Sequence, residues 1–415
     1  MNKEIQIFDA WSNDELRPLG ILYVNVSKGR ESYSFQYKKS YLEGNHPQIL
    51  DPRLSFYEGH QYPPDGTLWG IFEDASPDRW GRTLMKRREM ELAKIENRRP
   101  KELHASDFLL GVYDEGRVGG LRFSIDGGNT FLSNDDSVAV PPWTSLRELE
   151  HASLQLETKD YASRKKWLSM LIAPGSSLGG ARPKATVKDI EGSLWIAKFP
   201  SRHDEYDFGA WEFVVHELAN LCGIIVPPAK LLRFSQFGST FLSKRFDRNG
   251  KKRIHFASAM TLLGKHDNDH EASYLDIAEV IQSVCRNSQE ECRELWKRMA
   301  FNIFVSNTDD HLRNHGFILQ NNAWQLSPAY DINPNPMGNY LSLSVNYETN
   351  VLDIEAAIKT ADYFLMSSDE ATQLAKSMAS TITQNWIRLA QKLNLGRASI
   401  EDMRFAFMNA EHFPH

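Results

Sequence analysis

The chain has 415 residues with 41% hydrophobic content, 22 Phe and 10 Trp, enough apolar material for two lobes that each bury a core, which excludes a largely disordered protein. A formal net charge of −6 excludes whole-molecule attraction to nucleic acid, and no run approaches the roughly 18 uncharged apolar residues of a membrane-spanning helix. Charges in the first twenty residues leave no apolar signal-peptide stretch, and Cys222, Cys285 and Cys292 fit neither a disulfide scaffold nor zinc-ribbon spacing, so a cytoplasmic protein with reduced thiols is expected.

Period-two alternation through Ile5 and Ile7, then Ile21 and Tyr23, then Tyr33, Phe35 and Tyr37 predicts a small opening sheet. From Asp74 to about Glu96 the period becomes helical, with Pro77 in the first turn and Trp80, Leu84 and Met85 on one side. A short helix near 106–112 leads through Gly119-Gly120 to a strand at 121–125, and residues 126–137 read as a loop or boundary. The clusters Lys86-Arg87-Arg88, Arg98-Arg99 and Lys251-Lys252-Arg253 read as solvated faces.

The middle of the chain opens with the glycine- and serine-rich loop Gly175-Ser-Ser-Leu-Gly-Gly180, followed by strands at 185–188 and 194–199 around Glu191-Gly192. An amphipathic helix is predicted over 208–221, capped by Asp207 and stopped by Gly223, then strands at 231–234 and 240–246 and a hairpin at Asn249-Gly250. Segments 273–285, 290–305, 352–366 and 369–393 favour helix. The pattern predicts an α+β, two-lobed, protein-kinase-like fold: a β-rich N-terminal lobe with an extra small subdomain, and a helical C-terminal lobe. The corresponding boundaries are 1–135, 136–255 and 256–415.

Asp309 precedes Asn314 by five positions, the spacing of base and metal ligand in the catalytic loop H-R-D-x-x-x-x-N of protein kinases. A carboxylate there can take the proton of an attacking hydroxyl, and a neutral amide oxygen can complete an Mg²⁺ shell without a further negative charge. Asp310 stands one residue short of that spacing. Asp331, after a short hairpin, supplies a second metal carboxylate, and Lys198 on its strand suits the α- and β-phosphates, with Glu212 as its candidate helix partner.

Other readings attach to the same residues. Gly175-x-Ser-x-Gly179 matches a serine-hydrolase nucleophile elbow, but an elbow must lead into a helix and strands are predicted next. His311 and His315 beside two aspartates suggest zinc but lack H-E-x-x-H. A catalytically silent nucleotide-binding module would be expected to lack one of Asp309, Asn314, Asp331 and Lys198, and all four are present.

Ser177-Leu-Gly-Gly-Ala-Arg-Pro-Lys184, Arg245-Phe-Asp-Arg248, Asn307-x-Asp-x-His-x-Arg-Asn314 and Pro328-Ala-Tyr-Asp331 together resemble the HipA family of serine/threonine kinases, and Ser76-Pro-Asp-Arg-Trp-Gly81 looks like its small extra subdomain. The resemblance implies a toxin of a type II toxin-antitoxin pair that phosphorylates a protein of the translation machinery, an aminoacyl-tRNA synthetase being the candidate. A HipB-like DNA-binding antitoxin would restrain it and supply the DNA contact. It further implies that Asp309 is the proton acceptor and that Asn314 and Asp331 hold Mg²⁺. ATP would be contacted by Lys198, by Gly179, Gly180, Ala181, Arg182, Pro183 and Lys184, by the hinge Lys244, Arg245 and Phe246, and by His311 and Tyr330. Lys244 stands where the family usually has an acidic residue, which puts a side-chain role there in doubt. Ser177, with Ser176 beside it, matches the autophosphorylated serine of the family; a phosphate there would place about −1.5 to −2 charge in the loop meant for ATP.

Overall fold

A computed structural model describes residues 3–12, 16–44, 49–131, 140–158, 164–172, 182–267, 269 and 271–414. The chain divides into two compact units, Met1–Arg202 with Lys244–Ala257, and His203–Ser243 with Ser258–His415.

The first unit opens with β1 (Lys3–Asp9), β2 (Arg17–Ser27) and β3 (Arg30–Tyr37). Alternation buries Ile5, Ile7, Leu22, Val24 and Phe35, and the β2–β3 turn runs through Lys28 and Gly29, both at positive φ, as a tight hairpin requires. The helices α1 (Lys39–Leu42), α2 (Gly70–Asp74), α3 (Arg79–Ile95) and α4 (Ala105–Leu110) precede β4 (Leu121–Ser124), which pairs antiparallel with β1 to give the order β3-β2-β1-β4. Phe35, Trp69, Phe72 and Phe123 meet in edge-on and tilted contacts at 5.6 to 6.3 Å and fill the space under this sheet.

The helix predicted to start at Asp74 starts later. Asp78 caps α3, its Oδ1 accepting from the Gly81 N–H at 2.7 Å, and the preceding turn belongs to α2. Two helices that periodicity left unread follow, α5 (Leu146–Leu156) and α6 (Arg164–Ile172), and then the antiparallel pair β5 (Lys184–Lys188) and β6 (Leu194–Lys198), with Gly192 at φ 81° in its turn. Asp78 and Trp80 tie α3 to β5. The Asp78 carboxylate lies 3.0 Å from Lys184 Nζ, and the Trp80 indole N–H donates to the Lys184 carbonyl at 3.1 Å.

The second unit begins with α7 (Phe208–Leu221), bounded where the sequence places it. Asp207 Oδ1 accepts from the Ala210 N–H at 3.1 Å, and Gly223 takes φ 71° just past the end. Gly209 is required because a Cβ there would lie 2.1 Å from the Ser239 carbonyl oxygen. The hairpin β7 (Ala229–Leu232) and β8 (Thr240–Lys244) follows. Lys244–Ala257 belong to the first unit and carry β9 (Arg248–Asn249), β10 (Lys252–Arg253) and the start of β11 (His255–Ser258). The rest of the second unit contains α8 (Ala259–Leu262), α9 (Tyr274–Val284), α10 (Ser288–Phe304), the hairpin β12 (Gly316–Gln320) and β13 (Ala323–Leu326), α11 (Ile354–Lys359), α12 (Ser368–Lys392) and α13 (Arg397–His412). The single helix expected over 352–366 is α11 plus a 3₁₀ turn at Ala361–Phe364, ended by Leu365 in the left-handed region. Here α12 packs on α7 and α13; Trp386 stacks on Phe407 at 4.6 Å, and the buried indoles of Trp211 and Trp296 donate to Ser399 Oγ and the Ala357 carbonyl. No helix among the described residues is long and apolar enough to cross a membrane.

The Arg245-Phe-Asp-Arg248 segment has a clear structural task. Asp247 receives both Arg245, at 2.6 Å, and Arg248, at 2.7 Å, and accepts from the Gly119 N–H at 2.9 Å, while Arg245 also donates to the Gly116 and Arg117 carbonyls. Gly119 sits at φ 74°, where a Cβ would press on the Phe256 nitrogen at 3.1 Å. The segment thus clips residues 116–119 in place. Burial alone would raise the Asp247 carboxyl, but Arg245 and Arg248 outweigh it and hold the group well below the usual carboxylate range. Its contribution is therefore full above the ordinary Asp pKa and is lost only in strong acid. Asp247→Ala is expected to cost about 3–5 kcal/mol, because it removes the one carboxylate that pairs with both Arg245 and Arg248 and leaves their charges with carbonyl partners alone. A urea midpoint equal to that of the wild type would contradict this.

Candidate functional site

The candidate loop starts from the way α10 ends. The Asn307 N–H donates to the Asn302 carbonyl at 2.9 Å and the Ser306 N–H to the Ile303 carbonyl at 3.4 Å, a Schellman closure with Ser306 at φ 51° where glycine is usual. Ser306 is held in that conformation by its side chain, which donates to the Ala406 carbonyl of α13 at 3.0 Å. The chain therefore leaves the helix sharply, and residues 307–314 form a short, buttressed loop.

Within it the two adjacent aspartates have opposite fates. Asp309 is exposed, whereas Asp310 is 3% exposed and its carboxylate accepts from the Tyr274 hydroxyl and from His315 Nε2, the latter at 2.8 Å. Burial alone would raise the Asp310 carboxyl, but His315 and the Tyr274 hydrogen bond lower it, so Asp310 is a fixed buried anion. Burial first, then Asp310, pushes the Tyr274 hydroxyl far above its ordinary range, which keeps it a donor. Of the two adjacent carboxylates, Asp309 is therefore the solvent-exposed one and Asp310 the buried one.

Asn314 ends the 3₁₀ turn Leu312–Asn314, and its side-chain amide donates to the Asp309 carbonyl at 3.1 Å. With its NH₂ group so directed, its Oδ1 is oriented as an acceptor. Asp331 stands at φ 59°, a left-handed backbone that aspartate tolerates better than most residues, and its Oδ1 accepts from Asn333 Nδ2 at 3.0 Å. Tyr330 donates to the Arg313 carbonyl at 2.6 Å and so braces the loop from the Asp331 side. His311 is half-buried, and its Nδ1 has no hydrogen-bond partner among the described residues.

An amide oxygen and a carboxylate are the hard donors that Mg²⁺ takes, so Asn314 and Asp331 fit that ion. Among the described residues no group of three or more His, Cys, Asp or Glu is placed to hold a metal, and His315 is turned to Asp310. Mg²⁺ is ordinarily bound by one or two carboxylates, with water and phosphate oxygens filling its shell, which suits so sparse a set of protein ligands.

The upstream residues lie as follows. Lys184 and Lys198 are direct cross-strand partners on β5 and β6, Lys184 in its ion pair with Asp78 and Lys198 half-buried. Arg182 and Pro183 lead into β5, and the Pro183 carbonyl accepts from the Phe199 N–H at 2.9 Å. Ser176, Ser177, Gly179, Gly180 and Ala181 lie outside the described residues. Among the described residues the first element after this loop is the strand β5, not the helix that a nucleophile elbow requires. Glu212 is buried on α7; Lys244 is half-buried, Phe246 packs on Phe256 at 6.2 Å, and Arg245 is engaged with Asp247 as described. Sequence spacing gave no hint of Tyr274, Asn302 or Asn333, whose hydrogen bonds to the loop bridge distant positions.

The antiparallel sheets and the helices packed with them define an α+β chain. The HipA of Shewanella oneidensis MR-1, solved with HipB and its operator DNA, matches at a TM-score of 0.69 over 99% of this chain and 97% of that one, at 15% identity. The family model for the HipA-like C-terminal domain matches residues 176–386, just over half of the chain, and the chain belongs to the HipA family. "Putative kinase Y4dM" of Sinorhizobium fredii is 25% identical over 221 residues, 49% of this chain and 49% of that protein. A "Putative kinase" of Haemophilus influenzae is 29% identical over 181 residues, 38% of this chain and 52% of that protein. The chain thus spans about half the length of these curated relatives.

Proposed function

We propose that this chain is an ATP- and Mg²⁺-dependent serine/threonine protein kinase acting as a HipA-like toxin. The observation that carries the reading is the division of labour in the loop: Asp309 exposed, Asp310 buried and spent, Asn314 fixed through the Asp309 carbonyl. The acceptor hydroxyl attacks the γ-phosphorus of ATP and loses its proton to the Asp309 carboxylate; the new O–P bond forms as the bond to the β-phosphate oxygen breaks, and ADP leaves. Asn314 and Asp331 would hold Mg²⁺, whose role is to neutralise charge on the phosphates. Lys198 and the segment from Gly179 to Lys184 would bind phosphates, Lys244, Arg245 and Phe246 the adenine through backbone groups, and His311 and Tyr330 the nucleotide.

Family membership and the kinase names of two relatives support the reaction, and the HipB and operator DNA in the Shewanella complex support a small DNA-binding antitoxin as partner. The substrate would be a cytoplasmic protein of the translation machinery, an aminoacyl-tRNA synthetase first among candidates, and Ser177 or Ser176 would take an autoinhibitory phosphate. Phosphorylated proteins should be compared by mass spectrometry after induction of wild type and of Asp309→Asn. The reading expects new phosphoserine or phosphothreonine on a translation protein with wild type alone; identical phosphoproteomes would overturn it.

A further inference from the structure

Behind the loop runs a buried chain of side chains that the reaction itself does not use. The Tyr274 hydroxyl donates to Asp310, Asn302 Nδ2 donates to the Tyr274 oxygen at 3.2 Å, and Asn307 Nδ2 donates to Asn302 Oδ1 at 3.1 Å. The Asn333 backbone N–H donates to Asn307 Oδ1 at 3.3 Å, and the Asn333 side chain donates to Asp331 Oδ1 at 3.0 Å. Asn302 and Asn307 are 3% and 1% exposed, so neither amide has water as an alternative partner.

Both ends of this chain are chemically fixed. The Asp310 carboxylate can only accept, and a backbone N–H can only donate. Every group between them therefore has one permitted orientation: the Tyr274 hydroxyl points to Asp310, and each amide presents its NH₂ toward Tyr274 and its oxygen toward Asn333. Hydrogen bonds aligned in one direction onto an anion also polarise and strengthen one another. The buried charge beside Asp309 thereby sets the position of residue 333, two places beyond Asp331, which occupies a left-handed backbone that needs such support.

We propose that Asn333 is a positioning residue that aims the Asp331 carboxylate, and that Asp310 controls it through the Tyr274–Asn302–Asn307 relay, coupling the catalytic loop to the metal-binding carboxylate of Asp331. This role rests on the kinase reading above, since it concerns the orientation of a ligand toward Mg-ATP. It assigns Asp310 a task distinct from that of Asp309 despite their adjacency.

The test is titration calorimetry of ATP into purified wild type, Asn333→Ala and Asp310→Asn, each with excess Mg²⁺ and with EDTA, alongside thermal melting. Loss of an orienting partner typically costs about 10–100-fold in metal affinity. The expected result is a weakening of that order for ATP with Mg²⁺ in both variants, with affinity in EDTA unchanged and Asn333→Ala melting close to wild type. Equal losses with and without Mg²⁺, as a merely structural residue would give, overturn the proposal, as does wild-type affinity in Asn333→Ala. Asn333 is partly exposed, so its variant stays informative even if Asp310→Asn fails to fold. A wild type whose ATP binding ignores Mg²⁺ overturns the kinase reading as well, and that outcome is read from wild type alone.

Discussion

Asp309→Asn is expected to leave ATP affinity near wild type and to lower phosphoryl transfer by about 10²–10⁴-fold, the usual worth of a positioned base. The substitution is close to isosteric and acts on an exposed side chain, so folding should not suffer. The Asp309 backbone carbonyl, which accepts from the Asn314 side chain, is kept by the substitution. Single-turnover transfer measured beside calorimetric binding separates the two effects. Transfer at near the wild-type rate would remove Asp309 from the mechanism. The same change one residue on has a different expected signature: Asp310→Asn alters the buried anion that Tyr274 and His315 surround, and its effect should appear in Mg²⁺-dependent binding.

Asp331→Ala should weaken Mg-ATP by at least about 10–100-fold, because removing a metal ligand costs no less than removing a residue that orients one. Alanine also brings a backbone difficulty. At φ 59° an ordinary L-residue loses roughly 1–2 kcal/mol, a cost that Asp and Asn reduce by local hydrogen bonding. Asp331→Asn is therefore the cleaner probe, since it keeps the conformational tolerance and an oxygen that Asn333 can reach while deleting the charge. If both variants lose Mg²⁺-dependent affinity and only alanine lowers the melting temperature, charge and backbone contributions are resolved. Unchanged nucleotide affinity in both would count against Asp331 as a metal ligand.

Much of the fold was legible because local signals agreed. The α7 helix has an Asp cap, a helical apolar period and a glycine stop, and its bounds follow from them. The α3 start was misplaced because Pro77 is an attractive first-turn residue, whereas Asp78 makes the hydrogen bond that begins the helix. The α13 helix is absent from the sequence prediction, although Ile400, Met403, Phe407 and Ala410, all buried, recur at helical spacing after Gly396. In the site, spacing singled out Asp309, Asn314 and Asp331, but it could not show why Asp310 is spent. That depends on Tyr274, 36 residues away. Likewise the Arg245-Phe-Asp-Arg248 motif, read as a hinge against adenine, has its buried charges engaged with residues 116–119, a contact across roughly 130 positions that no local pattern records.

The most direct test of the central claim is transfer of the γ-phosphate of ATP to protein by the purified chain, with its partner removed, with and without Mg²⁺. The account predicts phosphate incorporation on serine or threonine that requires Mg²⁺ and disappears in Asp309→Asn. No incorporation by a folded wild-type chain, or incorporation that Asp309→Asn leaves unchanged, would contradict it.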